Sequence, residues 1–545
     1  MDFQRLFLFL IFFLSVFLLW DSWQRVQHPV VQAVPVTAPS VASTPVVAPA
    51  GVDRSSANTV MAQQKHQAGQ KITVKTDLLV AEINTVGGDL SHLAFLQHRD
   101  AQDKSKPFVL LQEQKARTYI AQTGLLGTGL PTHNAVFTAQ ANEYQLGEGK
   151  ETLEVRLPAT EVAVAKVTKV YVFHRGSYLI DVGYEIENSG TTPLSPSAYF
   201  QLVRDKTPPE GGSKFVPTYT GPAVYTEQEK FQKVGFSDID KGKIKYPQST
   251  DNGWVGMLQH YFVAAWLPKD KTQREFYTRQ LEENLYSAGV ILPMGAISPG
   301  QSAKVSVPLY AGPAQASLNK VAPGLGLTVD YGWLTIIATP LFWLLSFLQG
   351  WVHNWGVAII LLTVLIKLAF FPLSAASYRS MGKMRMVAPK LEKIKQQYSD
   401  DRERLHKAMM ELYKTEKINP LGGCLPVLIQ IPVFISLYWA ILASVELRYA
   451  PFFGWISDLS AADPYYVLPL IMGASMLLQS KLNPVPPDPL QAKLMQIMPI
   501  VFSVVFFFFP AGLVLYSVVN NVLSIVQQWY ITRGLETEAK GVAKA

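Results

Sequence analysis

Long apolar runs lie at the two ends of the chain, and a stretch of ordinary mixed composition separates them. The first run, residues 6–20, is apolar except for Ser15 and has charged residues on both sides. It predicts about 22 Å of helix, which is short of the ~30 Å hydrocarbon core of a bilayer. A cleaved signal peptide is therefore an alternative, but the run stays bulky up to Trp20 and no small-residue cleavage site follows directly. We favour an uncleaved transmembrane anchor over residues 1–25.

The two segments that follow the anchor differ in pattern. Residues 26–70 are rich in Pro, Ala, Val, Ser, Thr and Gln, and their spaced prolines prevent a continuous helix or central strand. We expect a disordered tether there. Residues 71–325 carry short alternating runs, the clearest of which is 178–187, followed by the turn sequence Asn188-Ser189-Gly190. Because no long amphipathic helix interrupts these runs, the pattern predicts one large β-sandwich.

After Tyr331 the apolar runs return and predict membrane spans. Three of them each have roughly the length of one crossing: residues 355–373, 425–445 and 465–478. The last run, residues 495–530, corresponds to ~54 Å of helix and is too long for one crossing. Pro510-Ala511-Gly512 lies near its middle, so we expect two short helices joined as a hairpin.

The distribution of charge gives these spans a direction. Residues 374–420 contain eleven Lys and Arg against six Asp and Glu, so the positive-inside rule places this segment in the cytoplasm. The span at 355–373 then runs from outside to inside, and the β-domain lies outside. A crossing by residues 331–350 would push the basic segment outside. We therefore place residues 331–350 along the outer interface, where their tryptophans are favoured.

Composition agrees with a membrane protein that carries one large water-facing domain. Of the 545 residues, 49% are hydrophobic and 16% are charged, against about 25% charged residues in a typical soluble domain. The predicted architecture is a multi-domain chain: a polytopic α-helical bundle of six spans plus the β-sandwich. Residues 351–535 form the membrane core, residues 536–545 form a cytoplasmic tail, and both termini are cytoplasmic.

Several kinds of chemistry have no sequence signal. The net charge of +7 lies mainly in the basic segment, and no basic run interleaved with aromatic residues indicates nucleic-acid binding. The single cysteine, Cys424, excludes an intramolecular disulfide and any cysteine-based zinc or redox motif. The phosphate-binding loop, zinc-protease and serine-hydrolase motifs are also missing from the sequence. We expect no enzyme activity, no metal and no cofactor.

Lys367 is the strongest functional candidate, because it lies inside a predicted span among apolar residues. An ionised group there costs at least ~2.5–3.5 kcal/mol, so it marks a hydrated groove by default. The alternative is that its side chain snorkels to the interface, about 9 Å along the helix. Polar residues in the spans favour the groove, although such residues can also be packing contacts between helices. The candidate groove residues are Lys367, Thr363, Gln430, Tyr516, Asn520 and Ser524.

The basic segment, residues 374–420, has the pattern of a helical hairpin with a break at Ser399-Asp400-Asp401. Methionines give it soft, adaptable apolar surface that suits varied partners, although they could equally pack the two helices together. The candidate partner-binding residues of the hairpin are Met381, Met384, Arg385, Met386, Met409 and Met410.

Several motifs together resemble the YidC/Oxa/Alb insertase family. Asn419-Pro420-Leu421-Gly422-Gly423-Cys424-Leu425-Pro426, followed by Gln430-Ile431-Pro432, is similar to the family signature at the third span. Further matches are Met384-Arg385-Met386, Ser444-Val445-Glu446-Leu447-Arg448, Asp463-Pro464-Tyr465-Tyr466 and Pro510-Ala511-Gly512-Leu513-Val514-Leu515-Tyr516. The resemblance covers essentially the whole chain, and the anchor, tether and outer domain resemble the Gram-negative layout.

This resemblance implies an insertase and chaperone of the bacterial inner membrane. It implies a five-helix core with a positively charged groove, open to cytoplasm and lipid and closed outside. The periplasmic domain is expected to resemble a galactose-mutarotase-like supersandwich without enzyme activity. Implied partners are nascent membrane proteins, the lipid bilayer, the Sec translocon, and the ribosome or signal-recognition machinery at the hairpin.

Two residues depart from the family pattern: Lys367, and Ser517, where some relatives carry another tyrosine beside Tyr516. Lys367 lies where the family normally carries arginine, so the charge is kept but the five-donor fork is lost.

Three other functions remain alternatives. They are a polytopic small-solute transporter, a carbohydrate-active outer domain on a membrane anchor, and a structural scaffold.

Overall fold

A computed structural model describes residues 69–100, 103–114, 116–160, 162–209, 218–269, 271–398, 401–416, 425–483 and 489–542. The chain divides into two compact units, a β-domain that ends at Asp330 and a helical bundle that begins at Tyr331. The expected anchor, almost all of the tether, and the glycine-rich part of the family signature lie outside the described residues.

In the described part of the β-domain, eighteen strands and one short α-helix follow one another along the chain. Their bounds are β1 Lys71–Lys75, β2 Leu79–Asn84, β3 Asp89–Arg99, β4 Pro107–Gln114, β5 Arg117–Leu126, β6 Glu143–Gln145, β7 Thr152–Pro158, β8 Ala165–His174, β9 Leu179–Asn188, β10 Ser197–Asp205, β11 Thr220–Thr226, β12 Lys230–Lys233, α1 Phe236–Asp240, β13 Ser249–Thr250, β14 Trp254–Gln259, β15 Phe262–Trp266, β16 Arg274–Glu282, β17 Leu285–Pro293 and β18 Ser302–Pro313.

The strands form two large sheets, which confirms the predicted β-sandwich. The ten-stranded sheet has the order β13-β16-β17-β10-β5-β4-β3-β2-β1-β6, and the eight-stranded sheet has the order β12-β11-β14-β15-β18-β9-β8-β7. The alternating run predicted at 178–187 is β9, which pairs antiparallel with β8 and β18. It ends where predicted, because the Asn188 side chain accepts the Gly190 N–H at 3.0 Å and forms the turn.

A fully buried lysine ties the two sheets together. Lys169 on β8 donates from Nζ to the Gly87 carbonyl at 2.9 Å, and Nζ lies 3.5 Å from Oδ1 of the buried Asp89 on β3. The tyrosine rings of Tyr171 and Tyr184 surround the ammonium, each about 5.7 Å from Nζ. Burial raises the pKa of Asp89 to about 7 and lowers the pKa of Lys169 to about 8. The pair is therefore costly to keep charged even though its partners attract each other.

The described part of the bundle contains eight α-helices. Their bounds are α2 Thr335–Val352, α3 Trp355–Ala369, α4 Phe371–Gln397, α5 Arg402–Thr415, α6 Leu425–Ala443, α7 Val467–Leu482, α8 Pro489–Phe506 and α9 Ala511–Val542.

Two prolines decide how the predicted apolar runs divide into helices. The run expected to continue to residue 373 ends as a helix at Ala369, because Pro372 lies in the first turn of a new helix, α4. The chain bends by 67° between α3 and α4. The long run at 495–530 divides into α8 and α9 around Pro510, as predicted.

Helix length and apolar composition identify few complete spans in the described part of the chain. There, α2 alone is long and apolar enough to cross a membrane, and α3 with α4 qualifies if their bend is one broken span. Shorter apolar helices lie within α6, α7 and α8. The six spans and the interfacial placement of residues 331–350 stay predictions.

Candidate functional site

Lys367 occupies the last turn of α3 and points its ammonium at the last helix. Nζ donates a hydrogen bond to Ser524 Oγ on α9 at 2.7 Å, and that hydroxyl donates to the Asn520 carbonyl at 2.7 Å. The Ser524 hydroxyl therefore joins α3 to α9. No carboxylate within the described ranges forms an ion pair with Lys367.

A cavity of about 340 Å³ lies beside this junction. Its polar lining comes from five helices: Lys367, Tyr378, Gln430, Gln479, Tyr516, Ser517, Asn520, Asn521 and Ser524. Its apolar lining comes from three helices: Ile431 and Phe434 of α6, Met472 and Met476 of α7, and Phe502 and Phe506 of α8. The cavity thus combines a cation, amides and hydroxyls with a flexible apolar wall.

Of the candidate groove residues, all but Thr363 line this cavity. Lys367, Asn520 and Ser524 lie together, and Gln430 hydrogen-bonds to the buried Tyr516 hydroxyl across the cavity. Thr363 is fully buried, and its Oγ1 donates to the Ile359 carbonyl one turn earlier at 2.7 Å. A threonine hydroxyl in a helix commonly bonds back in this way, so the structure does not bring Thr363 into the cavity.

Four polar lining residues were not among the candidates: Tyr378, Gln479, Ser517 and Asn521. Tyr378 belongs to the segment that we assigned wholly to the cytoplasm, although the first turns of α4 still line the cavity. Gln479 lies just beyond the predicted end of its span, and its spacing from Met472 and Met476 on α7 could have revealed it. Asn521 follows Asn520 directly but also bonds to α7, with Nδ2 3.2 Å from Ser475 Oγ.

Aromatic residues of α6 contact aromatic residues of α8, α9 and the turn between them. The Phe434 ring lies 5.9 Å from Phe506 and 6.4 Å from Tyr516. One turn later, the Tyr438 ring lies 5.3 Å from Phe509. α6 therefore contacts α8 and α9 through long side chains that can separate without breaking a backbone hydrogen bond.

The predicted hairpin corresponds to α4 and α5. Asp401 caps α5 by accepting the Arg404 N–H at 3.0 Å, and Lys390 Nζ lies 2.6 Å from Glu416 between the helices. At the base of the hairpin, Gly382 packs so closely against α9 that a Cβ there would lie 2.9 Å from Leu535.

The hairpin methionines divide into two groups. Met384 and Met409 pack against the buried Val387 and Tyr413, as the packing alternative expects. Met386 and Met410 are exposed, at 45% and 41%. Of the remaining candidates, Met381 is half-buried and Arg385 is exposed. The hairpin thus uses some methionines as its own core and presents others to solvent.

Fold and site together define a class of protein. It is a polytopic membrane protein with a separate β-sandwich and a polar, cationic cavity inside an apolar bundle. Within the described residues, no group of three or more His, Cys, Asp or Glu could hold a metal ion.

Comparison with known proteins gives a consistent result over both units. The family described as "YidC periplasmic domain" matches residues 71–344, and the family described as "60Kd inner membrane protein" matches residues 347–539. A relative from Nitrosospira multiformis, named "Membrane protein insertase YidC", is 57% identical over 100% of this chain and 99% of its own length. A relative of the same name from Methylobacillus flagellatus is 56% identical over 99% of this chain and 98% of its own.

A solved structure was also matched. "Active YidC insertase crystal structure with the first transmembrane domain resolved" is 19% identical, covers 85% of this chain and 93% of its own, and aligns with a TM-score of 0.41. The full-length relatives above settle the family: this chain belongs to the YidC family of membrane protein insertases. The family resemblance inferred from the sequence motifs is confirmed.

Proposed function

We propose that this chain is an insertase and chaperone of the bacterial inner membrane, in which the cavity beside Lys367 receives the polar part of a nascent membrane segment. The observation that carries the proposal is the position of the Lys367 ammonium. Ser524 holds it inside an apolar bundle, next to a cavity of about 340 Å³. Water in this cavity keeps the ammonium charged at a depth where hydrocarbon alone disfavours the charge.

A nascent membrane protein needs such a groove because its polar outer segment has to cross hydrocarbon. Unpaired backbone groups cost several kcal/mol each in the bilayer, and isolated charges cost more. A wet groove part-way into the bilayer shortens the dry path. Lys367 attracts acidic side chains of the crossing segment, while Gln430 and Asn520 offer hydrogen bonds to its backbone.

The apolar helix of the substrate then leaves towards lipid along α8. That helix presents a row of exposed apolar side chains, namely Ile497, Ile500, Val501, Val504 and Val505. Burial of the substrate's own apolar surface, at about 25 cal/mol per Å², supplies the driving force. This route needs no nucleotide hydrolysis, catalytic residue or cofactor.

The proposed topology has six spans, with both termini in the cytoplasm and the β-domain in the periplasm. α2 lies along the outer interface. Its Trp343, Phe347 and Trp351 side chains are 66%, 48% and 74% exposed. The Phe347 ring stacks on Trp343 and contacts Trp351 at a tilted angle, so the three rings form a row. Such an aromatic row is favoured at the level of lipid headgroups.

A photocrosslinker at Asn520 is expected to capture a stalled nascent membrane segment, because this position lines the cavity. The matched control is Val522, two residues along α9 and 47% exposed outside the cavity lining. We expect at least ~5-fold more substrate adduct from position 520, since the two positions point to different faces of one helix.

Equal capture at both positions, or none at position 520 while insertion proceeds, contradicts a groove route. Uptake of a small solute into vesicles that hold the purified chain, without any insertion of nascent segments, would favour the transporter alternative instead.

The hairpin is proposed to receive the delivering machinery, either the ribosome with its signal-recognition factors or the Sec translocon. Its surface is basic, and Met386 and Met410 add exposed apolar side chains to it. Basic residues suit RNA phosphates or acidic protein surfaces, and methionines suit varied apolar contacts.

Substitutions in the two methionine groups are expected to affect different properties of the hairpin. Met384→Ala with Met409→Ala removes packing from the hairpin core, so tryptic cleavage within it is expected to accelerate ~10-fold or more. Met386→Ala with Met410→Ala leaves cleavage unchanged but weakens cosedimentation with ribosomes that carry a nascent membrane segment. Limited proteolysis and cosedimentation on the same samples separate the two. Unchanged cosedimentation of the exposed pair removes those methionines from the docking surface.

A further inference from the structure

The end of the bundle where α3 begins is covered by residues 447–463, which we call the linker, between α6 and α7. The linker has its own small core, because Leu447, Ala450, Ile456 and Leu459 are buried. It is therefore a folded segment and more than a connection between two helices.

Backbone carbonyls of the linker accept hydrogen bonds from the first turn of α9. The Ala511 N–H donates to the Ala461 carbonyl at 2.7 Å, and the Gly512 N–H donates to the Leu459 carbonyl at 2.9 Å. These N–H groups have no partner inside the helix, so the linker supplies the acceptors that the helix start lacks.

The linker also packs closely against the starts of α3 and α9. A Cβ at Gly356 would come within 2.0 Å of the Phe452 ring, and a Cβ at Gly512 would come within 3.1 Å of the Leu459 carbonyl oxygen. Glycine at position 356 is required for this close approach, and glycine at position 512 makes the second contact less crowded.

Asp463 connects the linker to α7. Its carboxylate is 1% exposed and accepts from Trp455 Nε1 at 3.0 Å, from the Tyr465 N–H at 3.0 Å and from the Leu468 N–H at 2.7 Å. The Leu468 bond places negative charge at the start of a helix, where the helix dipole favours it.

A strained residue lies between the two backbone N–H groups that donate to the Asp463 carboxylate. Tyr466 has φ of 58°, a left-handed conformation that a bulky residue rarely adopts. Such strain persists only where the surroundings hold it in place. Asp463 does this by fixing the N–H groups of Tyr465 and Leu468 on either side.

We propose that Asp463 is a positioning residue that seals the outer end of the groove. By joining the Trp455 indole to the start of α7, it locks the linker over the starts of α3 and α9. Water can then reach the cavity from the cytoplasmic side, but no water path crosses the bilayer. This inference rests on the proposed topology, in which the linker lies on the outer side, and it goes beyond the groove mechanism itself.

Ion leakage distinguishes this role from general stability. The full chain and its variants are reconstituted into liposomes that carry a potassium gradient and a trapped pH-sensitive dye. Asp463→Ala, which loses all three side-chain bonds, is expected to raise proton leakage ~10-fold or more. Trp455→Phe loses one bond and should raise leakage less. Insertion of a nascent segment stays within ~3-fold of wild type in both variants, because the cavity lining is unchanged.

Asp458→Asn is the matched control, since this linker carboxylate bonds only to Ser460 among the described contacts. Its leakage should equal that of the wild type. Tyr466→Gly added to Asp463→Ala relieves the strained φ and should lower leakage again.

Two results overturn the proposal. One is wild-type leakage from Asp463→Ala while proteolysis shows that the linker has loosened. The other is equal leakage from the Asp458→Asn control. Loss of insertion without leakage also counts against the seal but leaves the groove mechanism standing, whereas failure of the Asn520 crosslink affects only the groove.

Discussion

Lys367→Ala lowers the insertion of substrates with acidic outer segments by ~10-fold or more, whereas Lys367→Arg retains most of it. A hydrogen bond to a charged partner contributes about 1.5–3 kcal/mol, and about 1.4 kcal/mol corresponds to a factor of ten. Arginine keeps the charge and adds donors, so it preserves the attraction. The measurement is protease protection of the outer segment in vesicles that contain the purified chain.

Matched substrates and one further variant test whether the charge of Lys367 causes the loss of insertion. A substrate with a neutral outer segment should lose at most ~3-fold in Lys367→Ala, because the charge has no partner in it. Ser524→Ala removes the hydroxyl that holds Nζ at 2.7 Å but leaves the charge, so insertion of acidic segments should survive. Full activity of Lys367→Ala on every substrate rules out the electrostatic part of the proposal.

The second large effect concerns the buried pair in the β-domain. Lys169→Met alone leaves Asp89 without its cation, and breaking a buried pair in this way costs about 3–5 kcal/mol. Replacing both residues, as Lys169→Met with Asp89→Leu, is expected to be neutral or stabilising. Urea unfolding of residues 69–330, followed by the fluorescence of the buried Trp254 and Trp266, measures the difference.

The advantage of the double variant should depend on pH. The raised pKa of Asp89 gives stability that is present below about 4 and is lost as pH rises through about 7. The lowered pKa of Lys169 gives stability that is present above about 10.5 and is lost as pH falls through about 8. The wild-type pair is therefore least favourable between pH 7 and 8. A double variant that is less stable than the wild type there would show that the pair stabilises the fold.

The sequence indicated the region of the cavity because an ionised residue among apolar neighbours is a strong signal. Lys367 and the residues Tyr516, Asn520 and Ser524, at helical spacing, could be assigned to one cavity without coordinates. Thr363 was misplaced because a threonine can satisfy its hydroxyl within its own helix, which spacing does not reveal. Tyr378 was missed because the charge pattern marks a segment as cytoplasmic without marking where the bilayer ends.

The sequence was enough to predict that the β-domain is a β-sandwich. It was not enough to predict the order of the strands in its two sheets. Alternation identified β9 and its terminal turn at Asn188. The order of ten and eight strands depends on pairings distant in sequence, such as β10 with β5 and β17. The Lys169–Asp89 contact is likewise non-local, since both residues lie in ordinary-looking strands and meet only when the sheets face each other.

The helix α4 reaches from the groove to the hairpin without a break. Its 27 residues correspond to about 40 Å, with Tyr378 near one end and Gln397 at the other. Gly382, one turn beyond Tyr378, packs against Leu535 of α9, and Pro389 removes one backbone hydrogen bond from the same helix further towards the tip. One continuous helix therefore connects the lining of the cavity with the exposed end of the hairpin.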